Sequence, residues 1–163
     1  MVNKSRLKEI ILSNEEFILT KIKKIVKREI IYLPEELNKV VVFYGVRRSG
    51  KTFILFDLFR KISECSVYID FEDERLADFQ AEELEKVKEA ILELKPHLID
   101  REIVFLLDEI QNVKGWEKFC RRAVERGEHK NLRKRLFIKD DAFRNTYGIK
   151  RTIMERGGIS FLF

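Results

Sequence analysis

Apolar residues follow two alternating patterns along this chain. Val40-Val41-Val42-Phe43-Tyr44, Ser66-Val67-Tyr68-Ile69-Asp70-Phe71 and Ile103-Val104-Phe105-Leu106-Leu107 are short runs rich in β-branched and aromatic residues. That is the pattern of strands. Five apolar residues in succession at 103–107 imply burial on both faces, as in a parallel sheet. Between the runs the spacing becomes helical. Phe53-Ile54-Leu55-Phe56-Asp57-Leu58-Phe59-Arg60 has the apolar density of a core-facing helix. Leu84, Val87, Ile91 and Leu94 predict a helix from about 79 to 95, with Pro96 just past its end. This stripe lasts under three heptads, so it reads as core rather than as a coiled-coil seam.

Ser13-Asn14-Glu15-Glu16 has the form of a capping box, so a first helix is expected to begin near residue 14. Phe17, Ile18, Ile22, Ile25 and Val26 would form its apolar face. Lys21, Lys23, Lys24, Lys27 and Arg28 crowd the rest, reading as a solvated face or as a contact for phosphate or a partner. Pro34 closes this region. Strands alternating with helices give an α/β fold, with helices on both faces of a mainly parallel sheet. Ligands of such sheets bind at the carboxyl ends of the strands.

Both candidate sites of chemistry follow strand ends. Gly45-Val46-Arg47-Arg48-Ser49-Gly50-Lys51-Thr52 is a complete G-x-x-x-x-G-K-[ST] phosphate-binding loop. Its place between a strand and a helix is the context the motif requires. Gly45 and Gly50 permit backbone angles and close approach that a side chain would block. The loop amides and the helix end then cradle phosphates. Lys51 supplies a point charge to the β- and γ-phosphates, and the Thr52 hydroxyl suits Mg²⁺. Phe53 completes the candidate nucleotide-binding segment. The strand at 103–107 ends in Asp108-Glu109. Asp108 is the candidate second ligand for Mg²⁺, and Glu109 the group that orients and deprotonates an attacking water. Phosphoryl transfer asks for such positioning and charge neutralisation more than for covalent chemistry. Gln111 lies two residues on, able to meet a γ-phosphate or the water, or to be a plain loop residue. No guanine-reading Asn/Thr-Lys-x-Asp motif occurs, which favours ATP over GTP.

Three segments carry a family resemblance. They are the loop at 45–52, Tyr68-Ile69-Asp70-Phe71-Glu72-Asp73-Glu74-Arg75-Leu76, and Leu107-Asp108-Glu109-Ile110-Gln111-Asn112-Val113-Lys114-Gly115-Trp116-Glu117-Lys118-Phe119. In order and spacing they resemble archaeal and bacterial ATPases of the AAA+ superfamily with a "DEIQ" Walker B segment. The resemblance covers roughly residues 28–127. It implies a three-layer α/β/α P-loop fold, cytoplasmic ATP-binding and Mg²⁺-dependent hydrolysis, with Gly50, Lys51, Thr52, Asp108 and Glu109 as the Walker residues. Glu72-Asp73-Glu74 is either a family feature near the site or a surface turn. Trp116 reads as core.

Composition refines this picture. The 163 residues suggest one domain, and 45% hydrophobic content suffices for a core. No apolar run of about 18 residues is present, so no membrane span is expected. The start leads into no secretory apolar segment. Cys65 and Cys120 match no metal or redox spacing and read as free thiols. The net charge of +5 arises late in the chain: of 33 basic and 28 acidic residues, nine and four lie in 128–163, leaving 24 of each before it. Overall basicity is therefore a weak argument for nucleic acid. Charged residues at 37% with Gln only at 80 and 111 lean toward a thermophilic source.

The organisation expected is a helical extension (1–38), a P-loop ATPase core (39–127) and a basic, divergent tail (128–163) without a lid, incomplete beside a full AAA+ domain. Leu136-Phe137-Ile138 is a short, poor strand candidate. Three readings of the tail stand open: a truncated or frame-shifted remnant, an ending that replaces a fourth strand, or a basic arm for nucleic acid. Partners follow suit: ATP, a homo-oligomer or a missing carboxyl-terminal lid domain, and nucleic acid in the last reading. The alternatives to a weak ATPase are a non-catalytic nucleotide-binding remnant and a nucleic-acid-binding module.

Overall fold

The computed structural model describes residues 2–23, 40–43, 48–125, 134–139 and 159–162. Their elements are α1 (Lys4–Ile22), β1 (Val40–Phe43), α2 (Lys51–Ile62), β2 (Ser66–Asp70), α3 (Leu84–Leu94), β3 (Ile103–Asp108), α4 (Trp116–Glu125), β4 (Lys134–Lys139) and β5 (Ile159–Leu162). The strands form one sheet in the order β2-β3-β4-β1-β5. Every neighbouring pair is parallel. The expected α/β fold with a parallel sheet is what forms.

Side-chain alternation sorts the core into two layers. Val42, Val67, Ile69, Ile103, Phe105 and Leu107 pack on one face with residues of α3 and α4. Val41, Phe43, Tyr68, Val104 and Leu106 pack on the other with Leu55, Phe56 and Phe59 of α2. All six residues of β3 are buried, because helices cover both of its sides.

The first helix differs from its expected start. It begins at Lys4, where Asn3 caps it by accepting a hydrogen bond from the Arg6 amide at 2.8 Å. Ser13 lies mid-helix: its hydroxyl donates to the Ile10 carbonyl at 3.0 Å, so it serves no cap. The buried residues are Leu7, Ile10, Ile11 and Ile18, whereas Phe17 is half exposed. Ile25, Val26, Lys24, Lys27 and Arg28 lie outside the described residues. The helix packs on α2, α3 and β2, so it covers the sheet's β2 edge. Leu7, Ile10 and Ile11 join one core layer and Ile18 the other. The described part of the expected extension, residues 2–23, therefore packs into the core. Lys4 pairs with Glu89 and Glu93 of α3, and Lys8 with Glu93. Lys95 is held more deeply, donating to Glu15 of α1 at 2.6 Å and to the Ser63 and Ser66 carbonyls.

The helix expected from 79 begins later. A tight turn over Ala81–Glu83 precedes α3, capped reciprocally by Gln80 and Glu83. Glu83 is buried and also accepts from the Val2 amide and Lys86. Burial pushes its carboxyl up, and these hydrogen bonds outweigh burial and hold it below its ordinary value. Trp116 is buried, as expected, and Cys120 is fully buried, which pushes its thiol up.

The expected tail contributes two strands. β4 lies between β3 and β1, with Phe105 opposite Leu136 and Val41 opposite Phe137. β5 adds beyond β1, with Val41 opposite Ser160. The poor strand candidate at 136–138 is thus the centre of a longer, interior strand.

Ile11→Ala would empty a fully buried position where α1 meets the core. It is expected to cost about 2–5 kcal/mol of stability, read from the midpoint of urea unfolding.

Candidate functional site

Alternation within the strands decides which residues face α2. Tyr68 and Leu106 lie on that side, so Asp70 and Asp108, each two positions further on, share it. Asp70 and Asp108 are also register partners across β2 and β3. The carboxyl ends of both strands therefore bring two carboxylates side by side, beneath the helix that follows the phosphate-loop sequence.

The described part of that loop is residues 48–52; Gly45, Val46 and Arg47 lie outside the described residues. Gly50 sits at φ 84° and ψ 22°, in the left-handed region, where glycine carries no Cβ penalty. Its carbonyl accepts the Phe53 amide at 3.1 Å and starts α2. No side chain caps this helix end. Its first amides and its positive dipole end are thus arranged as an anion site. Arg48 is exposed, with φ 64°. Lys51 is buried, and its ammonium lies 3.3 Å from the Ser49 hydroxyl. Thr52 is half-buried on the first turn of α2, and Phe53 beside it is exposed.

At the end of β3, Asp108 is 2% exposed and Glu109 6%. Glu109 adopts φ 51° and ψ 38°. For a residue with a Cβ, that conformation costs about 1–2 kcal/mol, which the surrounding fold must supply. Gln111 donates its side-chain amide to Glu109 Oε2. The backbone ties the two strand ends together: the Phe71 amide donates to the Asp108 carbonyl at 3.0 Å, and Asn112 Nδ2 donates to the Phe71 carbonyl at 3.2 Å. Asp70 accepts the Glu72 amide at 2.9 Å.

Tyr68 is the residue that sequence reasoning passed over. Its phenol, 2% exposed, donates to Asp108 Oδ2 at 2.9 Å. Burial first, and then the charges of Asp108 and Asp70, push its pKa well above the ordinary phenol value. It therefore remains a donor at neutral pH. Its position two residues before Asp70, on the same strand face, was a usable signal. Glu72-Asp73-Glu74 forms a turn at the surface directly after β2. Asp73 caps the turn at Glu74–Leu76 and pairs with Arg75, which also reaches Ser13 of α1. The Arg75 hydrogen bonds hold the Asp73 carboxyl below its usual range.

A threonine hydroxyl on α2 and a buried, oriented carboxylate on β3 are hard oxygen donors. They fit Mg²⁺, which takes few protein ligands and fills its remaining positions with water and phosphate oxygens. No described helix is long and apolar enough to cross a membrane.

A family model described as an AAA domain matches residues 37–136. The match passes residue 127, where the resemblance was expected to end, and stops within β4. An uncharacterized protein of Methanocaldococcus jannaschii is 40% identical over 131 residues, covering 78% of this chain and 27% of that protein. The chain thus spans about a quarter of the length of that curated relative. Among solved structures, PCH-2 of C. elegans aligns with a TM-score of 0.42 at 11% identity, over 98% of this chain and 41% of that one. AMPPCP-bound DnaA from Aquifex aeolicus gives 0.41 at 16%, over 99% and 48%.

Gly50→Ala places a Cβ at a left-handed position. It is expected to lower stability by about 1 kcal/mol and to weaken binding of inorganic triphosphate, measured by thermal unfolding and calorimetry on the same preparations.

Proposed function

The chain belongs to the AAA-domain family and carries a P-loop nucleotide-binding module, and from that premise we propose that it binds ATP with Mg²⁺ and hydrolyses it to ADP and phosphate. The observation that carries this reading is that Lys51 at the start of α2, Asp108 at the carboxyl end of β3 and Glu109 just beyond it are all buried. Three charged side chains withdrawn from water need a function or strong pairing to persist there.

The roles follow from chemistry. Amides of Gly45, Val46, Arg47, Arg48, Ser49 and Gly50 cradle the phosphates with the start of α2. Lys51 neutralises charge on the β- and γ-phosphates, and Phe53 borders the nucleotide. Thr52 and Asp108 would hold Mg²⁺, which would supply charge neutralisation at the phosphates. Glu109 orients a water against the γ-phosphate and takes its proton, with Gln111 holding the carboxylate in place. Lys51 and Glu109 are the catalytic pair.

Turnover by the isolated chain is expected to be slow. Related phosphate chemistry gains large factors from an arginine supplied by a neighbouring subunit. Assembly as a homo-oligomer in the cytoplasm, or union with the remainder of a longer protein, would supply such a group.

Labelled-ATP binding and phosphate release separate the roles. Lys51→Ala is expected to abolish binding. Glu109→Gln is expected to keep binding and lose phosphate release by roughly 10²-fold or more. Wild-type affinity in Lys51→Ala, with the protein folded, would overturn the assignment. Undiminished phosphate release in Glu109→Gln would overturn only the role of the base.

A further inference from the structure

We propose that Tyr68 is a positioning residue for Mg²⁺: its phenol fixes the carboxylate of Asp108 in the orientation that receives the ion. This inference rests on the reading of Asp108 as the metal-binding carboxylate.

The geometry supplies the reason. Tyr68 stands in the middle of β2, opposite Leu106, and its hydroxyl reaches diagonally to Asp108 Oδ2 at 2.9 Å. Its ring meets Phe56 of α2 edge-on, with centroids 5.4 Å apart and planes at 70°. Phe56 in turn meets Phe53, next to Thr52, at 5.5 Å. One packed row of rings thus runs from the first turn of α2 to the carboxylate on β3. The ring is enclosed, so the direction of its hydroxyl is set by packing rather than by solvent.

A core aromatic at this place needs no hydroxyl. Phenylalanine would fill the layer, and burying a hydroxyl costs free energy unless it is hydrogen-bonded. The hydroxyl instead serves Asp108 in a crowded setting. Asp70 is Asp108's register partner, and Glu109 follows it directly. Three carboxylates so close repel one another and favour side-chain rotations that separate them. A donor held on one oxygen of Asp108 opposes that rotation and sets the plane of the whole group. The ion then meets a carboxylate already oriented and does not bear the entropy of ordering it.

The test compares nucleotide affinity with and without metal, by calorimetry with ADP in Mg²⁺ or in EDTA. In wild type, Mg²⁺ should strengthen binding. Tyr68→Phe should leave metal-free affinity within about twofold of wild type. It should also reduce the Mg²⁺-dependent gain roughly tenfold, the scale of a lost hydrogen bond to a charged group. In an Asp108→Asn background, Tyr68→Phe should change the metal dependence no further. A Tyr68→Phe protein that keeps the full gain, or that loses affinity equally with and without metal, overturns the inference and leaves the nucleotide-binding reading standing. Wild-type binding indifferent to Mg²⁺ overturns the metal reading and this inference with it. Should Tyr68→Phe fail to fold, 3-fluorotyrosine in the wild-type sequence replaces it. The Tyr68 fluorine resonance, assigned by removing the other tyrosines singly, should move on adding Mg²⁺ to the ADP-bound protein. An unmoved resonance overturns the inference.

Discussion

Burial of β3 on both faces is the constraint from which the rest follows. Six consecutive residues of this strand are out of water, and the first five are apolar. A strand so placed must have a helical layer above and another below, and parallel neighbours joined by crossovers. It can carry a charge only where it leaves the sheet. Asp108 stands at that boundary and Glu109 just beyond it. The alternation that hands Val104 and Leu106 to the α2 layer hands Asp108 to it as well. A slip of one residue would turn the carboxylate away from the phosphate loop and toward α3 and α4.

The site gathers charge and strain that the remaining structure must offset. Asp70, Asp108 and Glu109 lie at the ends of neighbouring strands, a repulsive arrangement by itself. Opposing it are the Tyr68 phenol, the Gln111 amide and the Glu72 amide. The positive end of α2 adds to them. Of the five described residues with left-handed backbone, Arg48, Gly50 and Glu109 lie in the loops that frame the site; the other two are Asp100 and Gly115. Such conformations persist where tight packing around them outweighs their cost. Here the packing comes from two apolar layers and from Asn112, which ties the loop after β3 to the loop after β2.

Much of this was legible in the sequence because it rests on local rules. β1, β2 and β3, the phosphate loop and Asp108-Glu109 follow from apolar runs, glycine placement and strand ends. The first helix was misplaced because a hydroxyl can bond to a helix interior as readily as cap its start. Ser13 donates back to Ile10, and the cap is Asn3. The helix's buried stripe, Leu7, Ile10 and Ile11, was missed along with its true start. β4 was undervalued for a different reason. A parallel strand acquires its hydrogen bonds from partners far away in the chain, and β4 lies between β3 and β1. A short apolar run flanked by basic residues carries little local sign of that place.

The sequence by itself determined the chemistry on offer. A glycine-framed lysine and threonine follow one strand and an acid pair follows another, because spacing along the backbone sets which groups a loop can present. Only the tertiary structure decided how those groups are held. It set Asp70 beside Asp108 by register, brought the Tyr68 hydroxyl to Asp108 across two strands, and wrapped α1 over the β2 edge. These contacts join residues distant in sequence. Their existence depends on strand order and layer packing, which emerge only when the whole core closes at once.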